Sequence, residues 1–366
     1  MSCDLLSLAT PGIARILPYQ PGKPIAELER ELGIRGIIKL ASNENSLGPS
    51  PRVLELLPTF TDMYRYPDGN GFALKQALSR FHNISADQLT LGNGSNDILD
   101  LVARAFVTER DQVIFSEHAF AIYKLVTLSV GAEGIETPAR NFGHDLDAMR
   151  EAVTDKTRLI YIANPNNPTG TWLESGELRR FLDRLPENII VLMDQAYYEY
   201  AVGPEYPNCI EWLDDYPNLV VSRTFSKAYG LAALRVGYGI SHSHIADLMN
   251  RVRQPFNVNS IALYLAEAAL EDQEHISRSV AFNERGMEQL VKWLDSTGLR
   301  YLPSRANFLC IDLDTQAQGI YQGLLKEGVI VRPIESYGMP RHLRVTIGNE
   351  MENDRFVSAL GRVLER

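Results

Sequence analysis

The chain has 366 residues, 45% of them apolar and 22% charged, which excludes a mini-protein, a disordered chain and a fibrous one. At roughly 150 residues per domain the length suggests about two domains. The 36 Lys and Arg against 46 Asp and Glu leave a net charge of −10, which disfavours nucleic acid and anionic membrane surfaces as partners.

Read from the N-terminus, Asp4 stands before Leu5-Leu6 with no basic region, and no apolar run approaches the length of a membrane span, so a cytoplasmic location is expected. Cys3, Cys209 and Cys310 are odd in number and far apart, which fits neither a disulfide framework nor a paired-cysteine zinc site. The stretch Leu17-Pro18-Tyr19-Gln20-Pro21-Gly22-Lys23-Pro24 cannot be a helix interior and reads as an extended arm. Further on, Leu91-Gly92-Asn93-Gly94-Ser95-Asn96-Asp97 precedes a helical pattern of Ile98, Leu99, Leu101, Val102, Ala105 and Phe106. Amides at such a helix start suit an anion, with Ser95 and Asn96 adding side-chain donors. A plain helix cap is the competing reading, because the loop has neither the third glycine of a dinucleotide fingerprint nor the lysine of a P-loop.

Four short, continuously apolar runs follow: Val113 to Phe115, Leu159 to Ile162, Ile189 to Met193 and Leu219 to Val221. Runs of this kind are strands buried on both faces of a mostly parallel sheet covered by helices, so an α/β architecture is expected. His242 and His244 are placed on one strand face, and with no third ligand in view no metal site is expected. A long helix is expected from Ile261 to about Trp293. Beyond it, Phe308 to Ile311, Val329 to Val331 and Leu343 to Ile347 read as strands, with helices over Ile320 to Lys326 and Arg355 to Leu364. The expected division is a large domain over 46–272, flanked by an N-terminal arm over 1–45 and a smaller α+β domain over 273–366.

In open α/β sheets ligands collect at the carboxyl ends of the strands. Those ends carry Ser116-Glu117-His118-Ala119-Phe120, then Asn164-Pro165-Asn166-Asn167-Pro168-Thr169-Gly170, then Asp194 with Tyr197 three residues on, and finally Ser222-Arg223-Thr224-Phe225-Ser226-Lys227. An arbitrary lysine is a solvated surface group. Lys227, however, sits between Phe225 and the apolar segment Tyr229 to Leu234, where burial would lower its pKa and make it a Schiff-base nucleophile. Asp194 follows five apolar residues, and a buried carboxylate needs a cationic partner. Pyridoxal phosphate requires this inventory: an amine for its aldehyde, an acid for its ring nitrogen, a donor for its phenolic oxygen, a ring to stack on and an anion cradle.

On these residues, and on Tyr64-Arg65-Tyr66-Pro67-Asp68 and Arg235 eight positions after Lys227, the chain resembles the fold-type I aminotransferases. Within them it is most similar to the histidinol-phosphate aminotransferases, from the Tyr19 arm to the C-terminus. The resemblance implies that Lys227 bonds to the cofactor aldehyde and later moves a proton, and that Asp194 keeps the pyridine nitrogen protonated. It further implies that Asn167 and Tyr197 hold the phenolic oxygen, that Phe120 stacks on the ring, and that Ser95, Asn96, Thr224, Ser226 and Arg235 hold the phosphate. Tyr66 is implied to reach that phosphate across a homodimer interface. Arg344 matches the arginine that takes a substrate carboxylate, where a guanidinium fork suits two oxygens; from the strand alone, an edge-strand surface arginine is an equal reading. Arg332 and Tyr19 match positions contacting a substrate phosphate, and Asn43 lies at the active-site entrance. One departure is His118-Ala119-Phe120, where relatives have a proline followed two positions on by tyrosine, so the stacking survives without a hydrogen bond from that ring.

The implied reaction is amino transfer from glutamate to imidazole-acetol phosphate, giving L-histidinol phosphate in histidine biosynthesis. An aromatic amino-acid aminotransferase acting on phenylpyruvate shares every cofactor residue. A non-catalytic regulatory protein on this fold and a lysine-dependent aldolase are rivals of other classes; the acidic charge opposes the first, and the second has no need of Asp194 or the phosphate cradle.

Overall fold

The computed structural model describes residues 4–19 and 21–365; Cys3 and, within the proline-rich arm, Gln20 lie outside the described residues. Seven strands form the larger sheet, in the spatial order Leu89–Gly92, Gly237–Ser241, Leu219–Thr224, Ile190–Asp194, Thr157–Ala163, Gln112–Ser116, Glu133–Thr137. Gly237–Ser241 is antiparallel to both its neighbours; every other pairing is parallel. The four apolar runs thus form the middle of a mostly parallel sheet, as their composition requires.

Successive strand residues point to opposite faces, and two cores result. Ile160, Ile162, Val191, Met193, Leu219 and Val221 pack into one with helices Phe72–His82, Ser175–Leu182 and Ser260–Glu271. The alternate residues Leu159, Tyr161, Ile190, Leu192 and Val220 pack into the other with helices Ser95–Phe106, Ala121–Ser129 and Ser243–Val252. Each fully buried aliphatic side chain contributes about 1.5–3 kcal/mol relative to exposure, so both faces hold the strand ends in place.

A second, antiparallel sheet runs Arg300–Leu302, Phe308–Asp312, His342–Thr346, Arg332–Pro333. Its core joins Leu309, Ile311, Leu343 and Val345 to Leu290, Leu294, Leu324, Phe356 and Leu360 from the covering helices.

Three expectations need correction. The single helix from Ile261 to Trp293 is two, Ser260–Glu271 and Gln273–Thr297, because Asp272 leaves helical geometry (φ −94°, ψ 68°) and its carboxylate accepts from the His275 amide, which makes it an N-cap. Val329–Ile330 does not join the second sheet but pairs in parallel with Ile38–Lys39, tying the N-terminal segment to the C-terminal quarter. His242 and His244 do not share a strand face: His242 caps the helix Ser243–Val252, its Nδ1 accepting from the His244 amide.

Candidate active site

The carboxyl ends of Thr157–Ala163, Ile190–Asp194 and Leu219–Thr224 open into a cavity of about 270 Å³ that also receives side chains of the second sheet. Tyr19, Asn43, Ser95, Asn96, Phe120, Asn167, Asp194, Tyr197, Thr224, Ser226, Lys227, Arg235, Arg332 and Arg344 all line it. Tyr66 does not line the cavity of its own chain: its ring is 83% exposed and stacks on Phe256 at 4.8 Å.

At one end lies an anion cradle. The helix Ser95–Phe106 starts directly after Gly94, whose φ of 76° favours glycine. A Cβ at Gly94 would fall 2.5 Å from the Arg235 guanidinium, and one at Gly237 would fall 2.5 Å from the Ser95 amide nitrogen. Both glycines therefore let cation and amide close on the same small space. Arg235 donates to Ser226 Oγ at 3.2 Å, and Thr224 Oγ1 accepts from the Ser226 amide at 3.1 Å. A helix start with a flanking guanidinium and three hydroxyls is a fit for a phosphate group.

Across the cavity, Asp194 is buried, and both its oxygens accept from neutral hydroxyls: Oδ2 from Tyr123 and Oδ1 from Ser222, each at 2.9 Å. Burial pushes the carboxyl above its ordinary range, against the pull of these two donors, the Ala196 amide and Lys227. A protonated ring nitrogen would relieve that cost by supplying the missing cation.

Lys227 faces the cavity, its Nζ donating to Ser42 O at 3.1 Å. Burial first, then the Arg344 and Arg235 charges, bring its amine down from 10.5 to about 7, with Glu44 and Asp194 opposing. Its amine is thus substantially neutral near pH 7, as a nucleophile must be.

Tyr197 OH accepts from Asn43 Nδ2 at 2.8 Å, which leaves its own proton free to donate into the cavity; burial pushes the phenol up to about 12, so it keeps that proton. Asn43 is buried and is itself held by Thr346, whose Oγ1 accepts from its amide at 2.9 Å and donates to its Oδ1 at 3.2 Å. Asn167 is fixed in the same way: its Oδ1 accepts from Arg344 at 2.5 Å, so its amide nitrogen remains to donate.

Arg344 is no edge-strand surface residue. Its strand lies between two others, its side chain is buried and its Nε has no partner. Its terminal nitrogens hold Asn167 Oδ1 and Ala41 O, and its guanidinium lies 5.4 Å over the Phe308 ring. An unpartnered buried guanidinium N–H is costly, and an anionic ligand would satisfy it. Arg332 lies 5.6 Å over the Tyr19 ring, so the arm and the second sheet close one wall together. His118, at the departure noted above, adopts φ 57° and its Nδ1 donates to Tyr337 O at 2.6 Å.

Tyr123 and Ser222 escaped the reading of the sequence, as did the contact of Asn43 with Tyr197. Ser222 had a signal, since it directly follows the apolar run Leu219 to Val221 as Asp194 follows Ile189 to Met193, and in the structure the two are register partners on adjacent strands. Tyr123 had none, since its bond to Asp194 spans 71 positions and lies on no local motif.

The sequence pattern of the family described as aminotransferase class I and II matches residues 35–360. The chain is 55% identical to histidinol-phosphate aminotransferase 1 of Nitrosococcus oceani, over 98% of this chain and 97% of that one. It is 56% identical to histidinol-phosphate aminotransferase 2 of Pseudomonas fluorescens over the full length of both. Among solved structures, histidinol-phosphate aminotransferase from Sinorhizobium meliloti in complex with pyridoxal-5′-phosphate superposes with a TM-score of 0.90 at 29% identity, covering 98% of each chain. With the family pattern spanning most of its length and full-length relatives at more than half identity, this chain belongs to the class I and II aminotransferase family.

Proposed function

We propose that this chain is a pyridoxal-phosphate-dependent histidinol-phosphate aminotransferase, exchanging an amino group between glutamate and imidazole-acetol phosphate in histidine biosynthesis. The observation that carries the reading is the convergence of Lys227, Asp194, Arg235, Arg332 and Arg344 on one cavity, in a chain whose relatives at 55 and 56% identity bear that activity in their names. In a protein of net charge −10, three guanidinium groups in one pocket suit two anionic groups, one on the cofactor and one on the substrate.

When bound, pyridoxal phosphate supplies an electron sink and a carrier for the amino group. Ser95, Asn96, Thr224, Ser226 and Arg235 hold its phosphate, Phe120 stacks on its ring, and Asn167 and Tyr197 donate to its phenolic oxygen. Asp194 keeps a proton on its ring nitrogen. Lys227 would hold its aldehyde end, and the Lys227 amine is the group placed to take a proton from the substrate carbon and to return it. Arg344 takes the glutamate carboxylate, while Arg332 and Tyr19 receive the phosphate of the other substrate.

The same proposal assigns 46–272 to a cofactor domain, with 1–45 as an arm and 273–366 as a smaller domain. The active form is a homodimer in which Tyr66 of each subunit reaches the other subunit's cofactor phosphate. Supporting it, Met63, Tyr64, Tyr66 and Phe72, all within ten positions of one another, are strongly exposed, and large apolar side chains left exposed along one stretch suit an interface. A cytoplasmic location agrees with the unpaired, buried Cys209 and Cys310; among the described residues no helix is long and apolar enough to cross a membrane.

Because only the neutral amine of Lys227 attacks an aldehyde, covalent capture of added cofactor by the apoprotein is expected to accelerate as pH rises toward about 7 and then to level off. A lysine left at an ordinary value would still gain about tenfold per pH unit at pH 9, and that profile in stopped-flow absorbance would contradict the assignment. Steady-state turnover tests the substrate: imidazole-acetol phosphate should be preferred to phenylpyruvate, and the reverse preference would favour the aromatic enzyme.

A further inference from the structure

We infer that Tyr123 is a positioning residue for the transfer reaction, aiming the Asp194 carboxylate at the cofactor ring nitrogen and bracing the Phe120 ring against the cofactor face. The inference rests on the cofactor assignment above and extends it to a residue that assignment leaves out. Tyr123 occupies the helix Ala121–Ser129, three residues past Phe120, and is fully buried. Its ring is fixed on two sides, stacked on Tyr161 at 4.7 Å and 8° and edge-on to Phe120 at 5.9 Å and 89°. From that fixed ring the hydroxyl donates to Asp194 Oδ2 at 2.9 Å.

With Ser222 on the other oxygen, the carboxylate cannot rotate without breaking one of these bonds. A carboxylate has about four acceptor sites, so room remains for a ring N–H. The chemistry of the two donors matters as much as their geometry. Neutral hydroxyls steady the negative charge without neutralising it, whereas an arginine or lysine in the place of Tyr123 would compete with the ring nitrogen as counter-ion. Burial keeps the Tyr123 phenol far above its ordinary range, so it remains a donor and never becomes a second anion beside Asp194. Loss of its hydroxyl would leave Oδ2 facing an aromatic wall, raise the proton affinity of Asp194, and draw the shared proton off the ring nitrogen.

The test compares Tyr123→Phe with Tyr161→Phe. The Tyr161 hydroxyl donates to Leu99 O at 2.7 Å, and its removal controls for loss of a buried hydroxyl from the same stacked pair. In Tyr123→Phe, kcat should fall about tenfold with KM within about twofold, and Kd of the apoprotein for pyridoxal phosphate should rise by about tenfold, the lower end of the scale of one hydrogen bond to a charged group. In Tyr161→Phe neither quantity should move, although both variants melt at lower temperature. Equal behaviour of the two variants, or wild-type kcat and Kd in Tyr123→Phe, would overturn the inference. A wild-type protein with no affinity for the cofactor would instead sink the functional reading on which it rests.

Discussion

Replacing Lys227 by alanine is expected to lower transamination by about 10⁴-fold or more and to abolish the covalent link to the cofactor. Proton transfer by a placed side chain contributes about 10²–10⁴-fold, and Lys227 adds the nucleophilic step to that. None of the groups around it substitutes: Tyr197 is held near 12, Asp194 is committed to Tyr123 and Ser222, and a guanidinium has no acceptor site for a proton. The residues proposed to hold the cofactor phosphate, Ser95, Ser226 and Arg235, are untouched by the change, so the variant should still take up cofactor reversibly. Folding should not suffer either. Protonated Lys227 is disfavoured in the folded state between its folded value near 7 and its ordinary 10.5, so its presence costs stability as pH falls through that window, and the alanine removes the cost. Borohydride treatment followed by mass spectrometry reads the outcome: a permanent cofactor adduct in the wild type and none in Lys227→Ala. An adduct of equal yield in the variant would place the reactive amine elsewhere.

Asp194→Asn is expected to lower the rate of the first half-reaction by about 10²–10³-fold, the scale of losing one preorganised electrostatic contact at a site of charge development. The amide nearly preserves shape and still meets Tyr123 and Ser222, so packing is a minor part of the effect. What disappears is the negative charge proposed to hold a proton on the ring nitrogen, and the ring would then accept electrons less well. Single-turnover absorbance with glutamate measures the step without product release. A loss of less than about threefold would mean that the ring nitrogen needs no counter-ion.

Much of this site could be read before the fold was known, because a parallel sheet buried on both faces writes its strands as continuous apolar runs. Asp194 ends its strand, and Asn167 and Lys227 lie in the loops that follow Ala163 and Thr224, so all three stand at the strand ends where ligands collect in such sheets. Resemblance supplied the rest of the proposed cofactor set, and the structure brings two of its members, Ser95 and Arg235, 140 positions apart in the sequence, to one cavity. What escaped were relations set by packing. Tyr123 meets Asp194 only because the helix Ala121–Ser129 lies over the sheet, and Asn43 meets Tyr197 only because the N-terminal segment is clamped by Thr346. Arg344 read ambiguously because strand order, which decides edge from interior, is not written in local pattern. The break at Asp272 was legible in principle: an aspartate three residues before His275 is an ordinary N-cap signal, overridden in the reading by the helical periodicity on either side.

The most direct test of the whole account is a half-reaction without an amino acceptor. Purified holoprotein, yellow from its bound cofactor, is mixed with L-histidinol phosphate, and in parallel with L-phenylalanine. The account requires the colour to bleach with L-histidinol phosphate, one imidazole-acetol phosphate released per cofactor, and to return on addition of 2-oxoglutarate. Bleaching by phenylalanine alone, or no change with L-histidinol phosphate, would contradict it.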